Sequence, residues 1–107
     1  MTSTASAAAT QMEIVSATPA EGTITVTWKP FTAANLTGFV VTIVDQYNSL
    51  ENFVQTSKTA TSLDCPYTMV EGQTYQALVG PLIFNAPNAA MTSPPVPIPY
   101  PPTGEKR

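Results

Sequence analysis

The chain has 107 residues, enough for one domain with a modest core. Only 10% of them are Asp, Glu, Lys or Arg, against about 25% in an average globular protein. The net charge is −3 and the four basic residues, Lys29, Lys58, Lys106 and Arg107, are scattered, which argues against a nucleic-acid partner, since neutralising phosphates takes clustered cations.

Residues 1–10 are small and polar and predict a flexible N-terminal arm. Residues 11–17 place Met12, Ile14 and Ala17 among polar neighbours, a weak first strand, and residues 19–22 read as a turn. Residues 23–28 alternate strictly, with Ile24, Val26 and Trp28 on one face and Thr23, Thr25 and Thr27 on the other. Period two with β-branched residues is the strongest strand pattern in the chain, and Pro30 ends it because proline cannot donate to a ladder. A loop over residues 31–36 precedes a strand over 37–45 with Phe39, Val41 and Ile43 inward. After a polar turn at 46–49, a short edge strand is expected over 52–56, with Lys58 guarding that edge. Another strand follows over 59–65 with Leu63 and Cys65 inward. A Gly-containing corner then leads into a long central strand over 73–82, where Tyr75, Ala77 and Val79 alternate. Residues 85–90 read as a loop. The last strand lies within 91–98, and its prolines confine it to an edge. Residues 99–107 form a Pro-rich tail, read as an extended linker or peptide ligand or simply a stiff end. No window has sustained helical periodicity, and turn signals recur about every 8–12 residues, as in a β-sandwich. The fold class is therefore all-β, a two-sheet antiparallel sandwich of about seven strands over residues 11–98.

Three features in order give this pattern a family resemblance. Trp28 ends the alternating second strand, Phe39 stands in the third, and Met69-Val70-Glu71-Gly72-Gln73-Thr74-Tyr75 forms the corner. The arrangement resembles the fibronectin type III domain, an immunoglobulin-like sandwich, whose corner reads Leu-x-Pro-Gly-x-x-Tyr. Here Met69 and Glu71 replace its Leu and Pro, while Gly72 and Tyr75 keep their spacing. The resemblance implies that Trp28, Phe39 and Tyr75 form the structural core and that the Tyr75 hydroxyl bonds back to the chain upstream. Two departures from the family pattern carry expectations: a bulge or kink near residues 65–68, where this chain is one residue longer, and a shifted or shortened last strand, which holds more proline than the family's.

Residues for chemistry are scarce. The chain has no histidine, the commonest general base and metal ligand. One cysteine, Cys65, excludes an internal disulfide and reads as a small buried apolar residue. The acids are spread singly, with Asp45 and Glu51 flanking one turn, and there is no Gly-rich phosphate loop. No catalytic, cofactor or metal site is expected, and the chain is read as no enzyme. No run approaches the roughly 18 apolar residues of a membrane span, and residues 1–10 lack the pattern of a signal peptide. The Asn35-Leu36-Thr37 glycosylation pattern therefore carries little weight, and no Arg-Gly-Asp tripeptide is present. Location stays open, with low charge and abundant Thr compatible with an extracellular or virion setting.

Surface loops remain. In such a sandwich the loops after the second and sixth strands, residues 30–36 and 85–90, meet at one end, and loops on a rigid scaffold are where these domains bind. The candidate protein-binding residues are Phe31, Asn35, Asn85 and Asn88. The expected function is a non-catalytic protein-interaction or structural module, acting through loops or an edge strand on a protein partner or on copies of itself. The alternative is a structural, decoration or attachment subunit of a viral or extracellular particle. A carbohydrate-binding accessory module is a third reading, without a row of exposed aromatics to support it.

Overall fold

A computed structural model describes residues 11–99. The predicted N-terminal arm, and all but the first residue of the predicted tail, lie outside that range. The strands are β1 Ile14–Ala20, β2 Thr23–Trp28, β3 Leu36–Asp45, β4 Leu50–Gln55, β5 Ser62–Pro66, β6 Tyr75–Ile83, β7 Ala86–Pro87 and β8 Val96–Ile98. A short 3-10 turn, Ala89–Met91, separates the last two. They form two antiparallel sheets, one ordered β1-β2-β5 and the other β4-β3-β6, with β7 and β8 both paired to the free side of β6. The architecture is an all-β sandwich compatible with the fibronectin type III and immunoglobulin-like class.

The strict alternation in β2 translates directly into burial. Ile24, Val26 and Trp28 are fully inside, and Thr23, Thr25 and Thr27 lie half-exposed on the outer face. Phe39, Val41 and Ile43 of β3 meet them from the opposite sheet, joined by Ala77 and Val79 of β6 and Cys65 of β5. The Trp28 and Phe39 rings pack with centroids 5.3 Å apart, tilted by 54°, and the indole N–H donates to the Ala60 carbonyl at 3.1 Å. A buried indole thus keeps its one donor satisfied. At the corner the Val70 N–H donates to the Tyr75 hydroxyl at 2.7 Å, while the Tyr75 ring is buried against Tyr67. One phenol therefore fills the core and pins the crossover from β5 to β6.

Boundaries differ from the expectations where tertiary pairing overrides local punctuation. Pro19 lies inside β1, paired with Ile24, and the turn contracts to Glu21 and Gly22. An edge strand accepts proline because it has an unpaired side. Residues 59–61 belong to a loop, since the Ala60 and Thr61 carbonyls accept from the Trp28 side chain and backbone N–H groups. The bulge or kink expected near residues 65–68 does not interrupt the β2–β5 ladder. The β2–β5 register runs unbroken to Pro66, where the strand ends. The register shifts lie instead between Ile14 and Ser16 and between Leu36 and Gly38.

The loop predicted over 85–90 contains β7 and enters the 3-10 turn, which makes the strand count eight. Between β7 and β8 the Ser93 N–H donates to the Val79 carbonyl at 2.8 Å, and the Ser93 hydroxyl accepts from the Val79 N–H at 3.0 Å. One buried serine thereby satisfies both backbone groups of Val79 where the last strand is interrupted. Met12, ahead of β1, is buried and its N–H donates to the Met91 carbonyl, so the N-terminal segment closes the core against the C-terminal one.

Candidate functional site

Three connections converge at one end of the sandwich: β2–β3, β4–β5 and β6–β7. The last is a two-residue hairpin, because Ile83 pairs with Ala86 and only Phe84 and Asn85 lie between. Both have positive φ, +53° and +65°, which is the requirement of a type I′ turn. Asn adopts that region readily, and a bulky aromatic does so at a cost of roughly 1–2 kcal/mol. Hydrogen bonds to the neighbouring loop hold the turn there. The Phe84 N–H donates to the Asn35 carbonyl at 3.0 Å. The Asn85 N–H donates to the Thr37 hydroxyl at 3.0 Å, and that hydroxyl donates to the Leu82 carbonyl at 3.0 Å. Asn35 itself has a φ of +65°. The outcome is a Phe84 side chain that is 71% exposed on a turn tied down at both residues.

Beside Asn35 lies an open cleft of about 460 Å³, lined by Thr32, Ala33, Asn35, Leu36, Lys58 and Thr59. A smaller cleft of about 220 Å³ shares Thr32, Lys58 and Thr59 and adds Pro30, Phe31 and Ala60. Lys58 therefore stands between two recesses, the smaller of them the more apolar. The other described cation, Lys29, pairs with Glu13 at 3.3 Å, whereas Lys58 has no carboxylate partner among the described residues.

The four loop residues singled out in the sequence have different fates. Asn35 and Asn85 are brought together through Phe84, which precedes Asn85 in the turn and donates its N–H to the Asn35 carbonyl. Phe31 is half-buried and packs against the core, so it lines the small cleft and is not the exposed ring of this end. Asn88 caps the 3-10 turn, its side-chain oxygen accepting from the Met91 N–H at 3.1 Å. Sequence reasoning missed Phe84 and the loop-end role of Lys58. Phe84-Asn85 before Ala86-Pro87 carried a weak hairpin signal, because Asn suits such a turn, but a leading Phe conceals it.

Groups for reaction chemistry do not assemble here. Among the described residues no three His, Cys, Asp or Glu side chains gather as a metal site would need. Cys65 is fully buried, and burial, followed by the Asp64 carboxylate, pushes its thiol up to about 11. Such a thiol is a poor nucleophile at neutral pH. Asp45 and Glu51 do not act as a pair. Asp45 accepts from the Tyr47 and Ser49 N–H groups within its own turn, at 2.8 and 2.9 Å, and Glu51 lies along β4 opposite Ile43.

Among the described residues no helix is long and apolar enough to cross a membrane. No protein-family model matches the chain, and no curated protein matches its sequence. A solved structure described as "Myokine structure" superposes with a TM-score of 0.65 at 16% identity, covering 86% of this chain and 97% of that one. At that identity the likeness defines the class of fold, a small β-sandwich, and nothing narrower.

Proposed function

We propose that this chain is a non-catalytic protein-interaction module that binds through the end formed by residues 30–36, 57–61 and 84–85, with Phe84 as its anchor. One observation carries the reading. A phenylalanine is held in left-handed backbone with its ring in solvent, although Asn or Gly would suit the turn better. Strained backbone persists where surrounding contacts over-determine it, and it concentrates at functional sites. A rigid exposed aromatic is also what protein interfaces use as an energetic centre, since little freedom is lost when it is covered. The adjoining clefts give a partner's side chains somewhere to enter. A glycan platform is less well served, because the other aromatic of this end, Phe31, packs inward.

The test separates binding from folding. A photo-reactive phenylalanine is placed at position 84 and, for comparison, at Thr18 in β1, and each protein is exposed to an extract of the source organism. Labelling of a discrete protein from position 84 alone, lost on adding Lys58→Ala, supports the reading. Equal labelling from both positions sinks it. Phe84→Asn is expected to raise the unfolding free energy by about 1 kcal/mol in urea titrations, by removing the turn strain, and an excess of this variant, unlike an excess of unlabelled wild type, should fail to compete with the photo-reactive protein for that partner.

The second reading, a structural subunit of a particle, is favoured by the outer face of the β4-β3-β6 sheet. Strand alternation places Val40, Val44, Leu50, Val54, Leu78 and Leu82 there around Thr42, Asn52 and Gln76, with no charged side chain on the face.

A further inference from the structure

Apart from Asp64, which lies mid-way along β5 and accepts from the Thr25 hydroxyl, the described charged side chains divide between the two ends of the sandwich. At the loop end stand Lys29, already paired with Glu13, and Lys58. The opposite end, formed by the β1–β2, β3–β4 and β5–β6 connections, carries Glu21, Asp45, Glu51 and Glu71 and no described Lys or Arg. Both ends also present apolar side chains to solvent. Phe84 is the exposed aromatic of the loop-end hairpin, while Tyr47 is 68% and Val70 53% exposed at the other end, with Leu50 close by at the start of β4.

That opposite end is also held in place by hydrogen bonds. The Gln46 side chain accepts from the Thr74 N–H at 2.8 Å, joining the turn that carries Tyr47 to the corner that carries Val70 and Glu71. The Tyr67 N–H donates to the Gly22 carbonyl at 3.2 Å, which ties in the turn bearing Glu21. So one end offers an aromatic on a tied turn, near an ammonium without a carboxylate partner among the described residues. The other offers a phenol and a valine on tied turns among carboxylates.

We infer that the partner of the loop end is the opposite end of a second copy of this chain, docked head to tail. Lys58 faces the carboxylates of the neighbouring copy, and Phe84 lies against its Tyr47 and Val70. This rests on the loop-end reading above and adds the identity of the partner. The contact is heterologous, so each copy uses both ends and association extends as an open row rather than closing at a dimer. Exposed charges are screened by salt, so the contact is weak and strongest at low ionic strength.

Sedimentation velocity of the full chain up to millimolar concentration at low salt is expected to show reversible growth past the dimer, reduced by added salt. Two variants each remove one end: Lys58→Ala with Phe84→Ala, and Tyr47→Ala with Glu71→Ala. Each is expected to weaken self-association about tenfold or more, with an unchanged far-ultraviolet spectrum and Trp28 fluorescence. An equimolar mixture of the two retains one good contact per pair and should form heterodimers that stop at two. A face-to-face contact through the uncharged sheet would survive both variants and overturns the inference. So does a wild-type chain that stays monomeric throughout. Labelling from position 84 then judges the loop-end site separately: a foreign adduct keeps that site and removes only the self-partner.

Discussion

At the scale of single residues, several side chains do two jobs, and their removal should separate the two. The Tyr75 ring fills the core while its hydroxyl accepts from the Val70 N–H. Tyr75→Phe keeps the ring and leaves a partly buried donor unpaired, which costs about 1–3 kcal/mol. Urea unfolding should show that loss with no change in the slope of the transition. Cys65 tests the interior in another way. Its thiol ionises at about 11 in the folded chain against an ordinary value of 9.0. The unfolded chain therefore releases its proton first as pH rises. Stability is undiminished below pH 9 and falls as pH climbs from there towards 11, as proton linkage requires. Iodoacetamide at pH 8 should label the native protein only at the rate of unfolding, and Cys65→Ala should remove the alkaline loss that belongs to this thiol.

At the scale of elements, close strand packing leaves no room at two glycines, but for different reasons. A Cβ at Gly38 would collide with the Gln55 backbone carbonyl at the end of the β3–β4 ladder. One at Gly80 would meet the Thr92 side chain. Backbone cannot step aside, whereas a side chain can be shortened. Gly38→Ala and Gly80→Ala are each expected to cost about 1–3 kcal/mol through overpacking. Adding Thr92→Ala should recover part of the Gly80→Ala loss, and no side-chain truncation should rescue Gly38→Ala. Thermal melts of Gly38→Ala and Gly80→Ala, each with and without Thr92→Ala, decide it, and equal rescue at both positions would contradict the packing described. The same crowding explains why the last strand is broken. Thr92 occupies the space above Gly80 and Ser93 bonds Val79, so pairing resumes only at Val96.

At the scale of the whole molecule, few charges carry all of the long-range field. With a pI near 4.5 and a net charge of −3 at neutral pH, mutual repulsion between copies vanishes close to pH 4.5. Light scattering across pH should show precipitation greatest there, because uncharged surfaces associate most readily without net repulsion. The uncharged outer face of the larger sheet makes that maximum sharp, and Val54→Lys should broaden it. Scattering that peaks elsewhere would mean that the exposed apolar side chains, not net charge, govern association.

Much of this molecule is legible in the order of its residues. Alternation is a property of near neighbours, so β2, the inward set of β3 and the edge position of the Pro-broken last strand can all be read from the chain. The Gly72–Tyr75 spacing is equally local. Folding decided what depends on residues far apart in the chain. Pro19 joins a strand because Thr23–Trp28 pairs alongside it, and residues 59–61 leave one because Trp28 takes their carbonyls. Phe84, Asn35 and Lys58 become neighbours only when the two sheets close over the core. Short-range pattern fixes which way a side chain points, while the place where loops gather is set by chain closure over dozens of residues, which no local window contains.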